Sequence, residues 1–376
     1  MYMSEQKKIG VALVGTGFGQ KIHLPALQIH PQIEVVAVYN RDLDKARSIA
    51  SEHNILMASN NLAEIYNSPH VDAVSISTPP FLHFDMAKEA LEAGKHVFLE
   101  KPLNLNVYET RELYYLAEKK QRIVTTDFEF RFVPAWQLLK EYLENDHVGD
   151  IRLIKIDWLV TSRANAQRPW NWYSLKEQGG GALGAIGSHV FDYIYWLFGE
   201  INYISGYLGC AIKQRPDPLD NDRLKAVTAD DTSLITLELT NGTPVQINLS
   251  SVTYQGRGHW IEIYGEKGTL VLGSDNLKDY VHGFKLYGTE SPSDESLQQI
   301  PVPQRLEFPK TYADGRLAPV LRVVDRFVNN IYEQKNQAPS LKEGVYSQLL
   351  MDLTQQSHQQ KQWLKVPPLN NFLTSI

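Results

Sequence analysis

Ile9-Gly10-Val11-Ala12-Leu13-Val14-Gly15-Thr16-Gly17-Phe18-Gly19-Gln20 is the stretch on which the fold turns. Ile9–Val14 is a nearly continuous apolar run, as expected of a strand buried on both faces of a parallel sheet. Glycines follow at once. The first permits a tight turn, and the second lets the backbone approach a ligand closely. The helix expected next would present its N-terminal amides to an anion such as a pyrophosphate. The usual third glycine, which allows close helix–strand packing, would fall at position 20, where Gln20 stands with Gly19 one place early. Its place after the first buried strand, with a strand–helix–strand unit behind it, makes the motif a strong dinucleotide signal; the bland alternative is a tight turn with no ligand.

Outward from this turn, strand patterns at Glu34–Tyr39, Ala73–Ser77, His96–Leu99 and Ile123–Thr125 alternate with helical ones at Leu43–His53, Phe84–Ala93 and Val107–Lys119. Such alternation with short connections predicts an α/β domain built on a doubly wound parallel sheet. The rhythm changes after Gly149. Ile151–Val160 reads as a long strand and Ala182–Phe198 as an apolar helix. Short strands follow at Ser233–Leu239, Val245–Val252, His259–Tyr264 and Thr269–Leu272, separated by turn signals at Asn241-Gly242 and Gly265–Gly268. These predict a mostly antiparallel sheet in an α+β domain. Val320–Glu333 and Gly344–Gln360 read as closing helices, and Ser291–Gly315, rich in Pro, Ser and Gln, as an irregular loop. At 376 residues two domains are expected. We place them at 1–128 for the dinucleotide and 129–376 for substrate and oligomerisation, with the closing helices free to pack back on the first.

Composition narrows the class. The hydrophobic fraction is 43%, the charged fraction 21% and the net charge −6, with no basic block, so a nucleic-acid partner is not expected. No window suggests a membrane-spanning helix, and no signal-peptide pattern precedes the first strand. Cys210 is the only cysteine, which excludes an internal disulfide and a thiolate metal cluster. The histidines show no metal-ligand spacing, so no metal is expected. A cytoplasmic location fits these readings.

The second strand ends Val38-Tyr39-Asn40-Arg41. An NAD-preferring site usually has an acid here, accepting from the ribose 2′-hydroxyl. Asn40 carries no charge to repel a 2′-phosphate, and Arg41 can stack on adenine and pair with that phosphate, which favours NADP over NAD. Two further segments carry chemistry. Phe98-Leu99-Glu100-Lys101-Pro102 puts a lysine at the carboxyl end of a strand, the edge where open α/β sheets bind ligands. Gly187-Ser188-His189, behind Gly179-Gly180-Gly181, puts a histidine at the start of a helix. Hydride transfer at an alcohol carbon needs one group for the hydroxyl proton and one for the developing alkoxide. His189 suits the first and Lys101 the second.

Ser77-Thr78-Pro79-Pro80-Phe81-Leu82-His83, Glu100-Lys101-Pro102, the triple glycine, Gly187-Ser188-His189 and the Gly265–Thr269 turn together resemble the Gfo/Idh/MocA oxidoreductase family. The resemblance covers nearly the whole chain. It implies a Rossmann domain followed by an open-faced α/β domain whose sheet builds homodimers or homotetramers. It also implies oxidation or reduction of sugars, inositols and related polyols with NADP or NAD. Alongside Gly15, Gly17, Phe18, Gly19, Asn40 and Arg41, it puts Thr78, Pro79, His83, Glu100, Lys101 and Pro102 on the cofactor side. Glu100 would pair with Lys101 or contact the cofactor, and the Lys101–Pro102 peptide would be cis. Family members carry an aspartate four residues before the histidine; Ala185 stands there. Asp192, three residues beyond His189, could reach the imidazole from the same helix face. Arg131, Arg163, Trp172 and Tyr173 complete the candidate substrate contacts, as aromatic faces and polar groups suited to a carbohydrate; a plain packing cluster is the alternative for each. Because the galactose-pathway repressor of yeast also resembles this family, a dinucleotide-binding regulator without turnover is the rival reading.

Overall fold

The computed structural model describes residues 7–276, 283–289 and 296–374. The chain divides into two compact units, one of residues 1–129 and 316–345, the other of 130–315 and 346–376. The first boundary lies at Glu129/Phe130, and Arg316–Val345 belongs to the first unit.

The first unit holds six parallel strands: β1 Ile9–Val14, β2 Ile33–Tyr39, β3 Met57–Ser59, β4 Ala73–Ile76, β5 His96–Leu99 and β6 Val124–Thr126, in spatial order β3-β2-β1-β4-β5-β6. Every residue of β1 is buried, because helices cover both faces of the sheet. The order reverses between β1 and β4, and the carboxyl edge at such a switch point is where a doubly wound sheet binds its ligand. The helices start as their sequences ask. Asp42 accepts from the Asp44 and Lys45 amides ahead of Leu43–His53, and Asn106 from the Glu109 amide ahead of Val107–Lys120. Of the closing helices, Leu317–Glu333 lies in this unit, where Phe327 meets Phe98 of β5 with ring centroids 5.7 Å apart.

The second unit contains β7 Ile151–Leu159, β8 Ile201–Gly209, a hairpin of β9 Gln214–Asp217 and β10 Arg223–Ala226, then β11 Thr232–Leu239, β12 Pro244–Ser250, β13 Gly258–Gly265, β14 Thr269–Ser274, β15 Lys285–Gly288, β16 Gln298–Ile300 and β17 Leu364–Lys365. Among the described residues nine of these form one sheet, in order β16-β15-β14-β13-β7-β12-β11-β8-β17. Its pairs are antiparallel except β7 with β12. The strand β8 and the β9–β10 hairpin lie where the sequence pattern signalled none. In the Ser291–Gly315 segment, 291–295 lie outside the described residues and the rest includes β16. The expected helix Ala182–Phe198 is in two parts, a π-helical turn Leu183–Gly187 and an α-helix Ser188–Phe198.

Candidate active site

Gly15 has φ +107°, and a Cβ there would lie 2.7 Å from the Ser77 carbonyl carbon. A Cβ on Gly19 would lie 2.1 Å from Ser77 Oγ. The turn after β1 therefore sits directly on the end of β4, tied by the Ser77 amide to the Val14 carbonyl at 2.8 Å. Close packing, the task of the usual third glycine, falls to Gly19, which is why Gln20 is tolerated at the next place. Gly17 is exposed and a Cβ there would meet nothing within 4 Å. Open backbone at the mouth of a tight turn, followed by a helical segment, fits a dinucleotide pyrophosphate.

At the end of β2, Asn40 donates from Nδ2 to Thr16 Oγ1 at 2.6 Å and accepts the Asp42 amide at 2.9 Å. It thus links the glycine turn to the helix that Asp42 caps. Arg41 is exposed beside it. Phe18 is partly buried, edge-on to His23 at 5.5 Å, with the Arg316 guanidinium 5.2 Å from its ring centre.

Lys101 follows β5, one strand beyond β4, and is partly exposed; the Lys101–Pro102 peptide is cis. Glu100 is buried, and its Oε2 accepts the Lys101 amide at 2.8 Å. Its Oε1 lies 3.4 Å from Nε2 of His23, a residue the sequence reading passed over. Thr78 and Pro79 form the turn after β4, and His83 braces that turn to the next. Its Nε2 is 2.7 Å from the Thr78 carbonyl, and its Nδ1 is 3.1 and 2.9 Å from those of Pro102 and Leu103. Burial pushes the His83 imidazole below its usual range, against the carbonyls that favour its N–H forms. Asp127 and Glu129, just beyond β6, are also buried and were not read from sequence. His23, Glu100 and Asp127 stand close enough to form a proton-sharing cluster or to hold an ion.

In the second unit, His189 begins the helix Ser188–Phe198 and is buried. Phe130 meets its ring edge-on at 4.9 Å, and Trp158 of β7 stacks at 6.0 Å. Trp158 also stacks on His259 at 3.9 Å, whose Nε2 pairs with the Tyr193 hydroxyl at 3.1 Å. Burial drives His259 down to about 3, so that ring is neutral. The triple glycine has a packing cause. A Cβ on Gly180 would lie 2.2 Å from the Tyr173 carbonyl oxygen, and one on Gly181, at φ +110°, 2.3 Å from Asp230 Oδ1. Asp230 in turn accepts the Leu183 amide at 2.8 Å, anchoring the turn that leads to His189.

The candidate substrate residues separate into two groups. Asp192 takes a forked contact from Arg131, at 2.9 Å to Nε and 2.7 Å to Nη2, and both are buried. Asp192 is thus engaged by Arg131 in a buried ion pair. Arg163 lies face-on over Tyr173, its guanidinium carbon 3.6 Å from the ring centre, and Trp172 packs edge-on to the same ring at 5.8 Å. Burial pushes the Tyr173 phenol up to about 12.

Residues 9–128 match the oxidoreductase family's NAD-binding Rossmann fold, and residues 140–366 its C-terminal alpha/beta domain. The chain belongs to the Gfo/Idh/MocA oxidoreductase family. An uncharacterized oxidoreductase of Synechocystis sp. is 57% identical over 371 residues, covering 99% of this chain and all of that one. Levoglucosan dehydrogenase of Pseudarthrobacter phenanthrenivorans is 26% identical, over 97% of this chain and all of the relative. Among solved structures, levoglucosan dehydrogenase in complex with NADH and levoglucosan superposes with a TM-score of 0.85 at 24% identity, covering 96% of this chain and 100% of that one. An oxidoreductase domain protein from Kribbella flavida gives 0.86 at 25%, with the same coverage. This Gfo/Idh/MocA protein is thus an oxidoreductase-family chain with an NAD-binding domain. No described helix is long and apolar enough to cross a membrane.

Proposed function

We propose that this protein transfers hydride between NADP, or NAD, and a sugar, cyclic polyol or related hydroxy or keto compound. The observation that carries this reading is the arrangement at the carboxyl edge of the first sheet. Gly15 and Gly19 are pressed onto Ser77 at the switch point, Gly17 is open, and Lys101 stands at the end of the neighbouring strand. The likeness to levoglucosan dehydrogenase supports the carbohydrate class. The glycine turn, Thr78, Pro79 and Pro102 would hold the dinucleotide, which when bound supplies the hydride acceptor or donor. Lys101 is assigned to stabilise the substrate oxyanion and His189 to hold the hydroxyl proton. Arg163, Trp172 and Tyr173 are assigned to substrate, as are Arg131 and Asp192, which form a buried pair.

The NADP preference rests on Asn40, an uncharged side chain already engaged with Thr16 and Asp42, and on exposed Arg41. We place the protein in the cytoplasm as a homodimer or homotetramer formed through the second unit's sheet. Ala185, where the family's aspartate would stand, favours the rival of a regulator that binds the dinucleotide without turnover. Titrating NADPH and NADH against the fluorescence of the seven tryptophans, then screening sugars, inositols and keto-sugars at the nicotinamide absorbance band, tests both. Turnover on any compound establishes the enzyme, binding with no turnover favours the regulator, and binding of neither cofactor removes both readings.

A further inference from the structure

His23 is the last residue of the π-helical turn Gly19–His23, the segment whose start lies on Ser77. Its imidazole is buried between three strand ends. Nδ1 meets Ser75 Oγ of β4 at 2.8 Å. Nε2 faces Glu100 Oε1, after β5, at 3.4 Å and Asp127 Oδ2, after β6, at 3.3 Å. Glu100 passes the connection on, because its other oxygen accepts the Lys101 amide. Apolar rings close the remaining sides, Phe18 at 5.5 Å and Phe98 at 4.9 Å.

A neutral imidazole would leave the charge of this setting uncompensated. It could donate from Nε2 and accept the Ser75 hydroxyl at Nδ1, but it would bring no positive charge to the two carboxylates that face Nε2. Two ionised carboxylates in a buried space with no cation would cost far more than one imidazolium between them. The buried Asp127 carboxylate faces His23 Nε2 at 3.3 Å, and that ion pair is its compensation. The other titratable groups facing this set are Lys101, Glu129 and the His83 imidazole beside Glu100.

We propose that His23, as an imidazolium clamped between Glu100 and Asp127, is a positioning residue that couples the dinucleotide-binding turn to Lys101. Seating a pyrophosphate on the turn and presenting the Lys101 ammonium become one event, because both ends of the link are fixed by the same ring. The electrostatics agree: burial alone would lower His23, but its hydrogen bonding to the acceptor carboxylates of Asp127 and Glu100 and their charges together raise it to about 9, and His23 helps hold Glu100 below its usual range. Glu129, pushed by burial up to about 8, keeps its proton at neutral pH and adds no charge to the set. The same three side chains could chelate a divalent cation only if His23 gave up its Nε2 proton, so the two occupants exclude each other.

The inference rests on the proposed dinucleotide site, but its test needs no substrate. In full-length protein labelled at histidine with nitrogen-15, one imidazole should remain doubly protonated at pH 8 and should vanish in His23→Gln. NADPH titrations should show His23→Gln and Glu100→Gln each weakening binding about tenfold, with the double variant no weaker than the worse single. Where a substrate is in hand, kcat should fall at least as far with KM nearly unchanged. A neutral His23 ring at pH 8, additive or absent effects in folded variants, or a stoichiometric metal whose removal by chelator shifts the His23 signal would each overturn the proposal. If His23→Gln does not fold, Ser75→Ala identifies the signal by shifting it, and Glu100→Gln carries the affinity test. Failure to bind either cofactor would remove the proposed function itself, whereas binding beside a neutral His23 would remove only this coupling.

Discussion

Glu100 and Lys101 are adjacent, yet the carboxylate turns inward to His23 while the lysine remains partly exposed at the strand end. That split separates positioning from chemistry. Lys101→Met should leave NADPH affinity within a few-fold while turnover on a verified substrate falls by about two to four orders of magnitude, as loss of a group acting on the transition state does; surviving turnover would remove the lysine from its role. The Arg131–Asp192 pair makes a different prediction. Removing one partner of a buried pair strands the other charge, so Asp192→Ala should destabilise by about 3–5 kcal/mol in urea unfolding. If the variant is as stable as the parent but loses turnover, Asp192 belongs to the substrate site instead. His23 sets a pH dependence. Its pKa is raised from 6.5 to about 9, so its contribution to stability is complete below pH 6.5 and lost as pH rises through about 9. Asp127 and Glu129, raised to about 6 and about 8, drain stability in the same direction from lower pH. Unfolding free energies from pH 6.5 to 9.5 should therefore fall, and less steeply in His23→Gln. Parallel slopes would show that His23 has no raised pKa.

At the scale of elements, the glycine runs were legible as motifs but not as contacts. The order of Gly15, Gly17 and Gly19 is visible in the chain; that Gly19 takes the close-packing role follows only from Ser77, which β4 brings from far along the sequence. Gly179–Gly181 reads as a flag for the histidine beyond it. Folded, it is where residues 173 and 230 press against backbone too close for any side chain. Gly181→Ala should accordingly cost about 1–3 kcal/mol from the positive φ alone, more with the Asp230 clash, and lower the urea midpoint. An unchanged midpoint would mean that the turn can relax. The strand β8 escaped notice for a physical reason as well. Its alternation is blurred by Gly206, whose bareness admits Thr354 from the helix Leu341–Gln360.

At the scale of the whole chain, the second unit's sheet leaves Tyr203, Tyr207 and Leu234 exposed by 36%, 54% and 45%, with Leu234 directly opposite Tyr207 in the β8–β11 pair. A stripe of apolar side chains on an open sheet face is the surface we assign to self-association. Leu234→Lys should shift the mass in light scattering toward the 42.8 kDa of one chain. An oligomer unmoved by that charge would place the interface elsewhere. The sequence by itself determined the two fold classes, the dinucleotide turn and the Lys101 and His189 motifs, because these are written in local periodicity and in short runs of adjacent residues. Only the tertiary structure decided that Arg316–Val345 returns to the first unit, that Arg131 takes Asp192, and that His23, Glu100 and Asp127 meet in one buried cluster. Those facts depend on strand order and on which ends of strands lie side by side. Charges far apart along the chain find each other only after the sheet has removed them from water, and nothing in their local sequence announces the meeting.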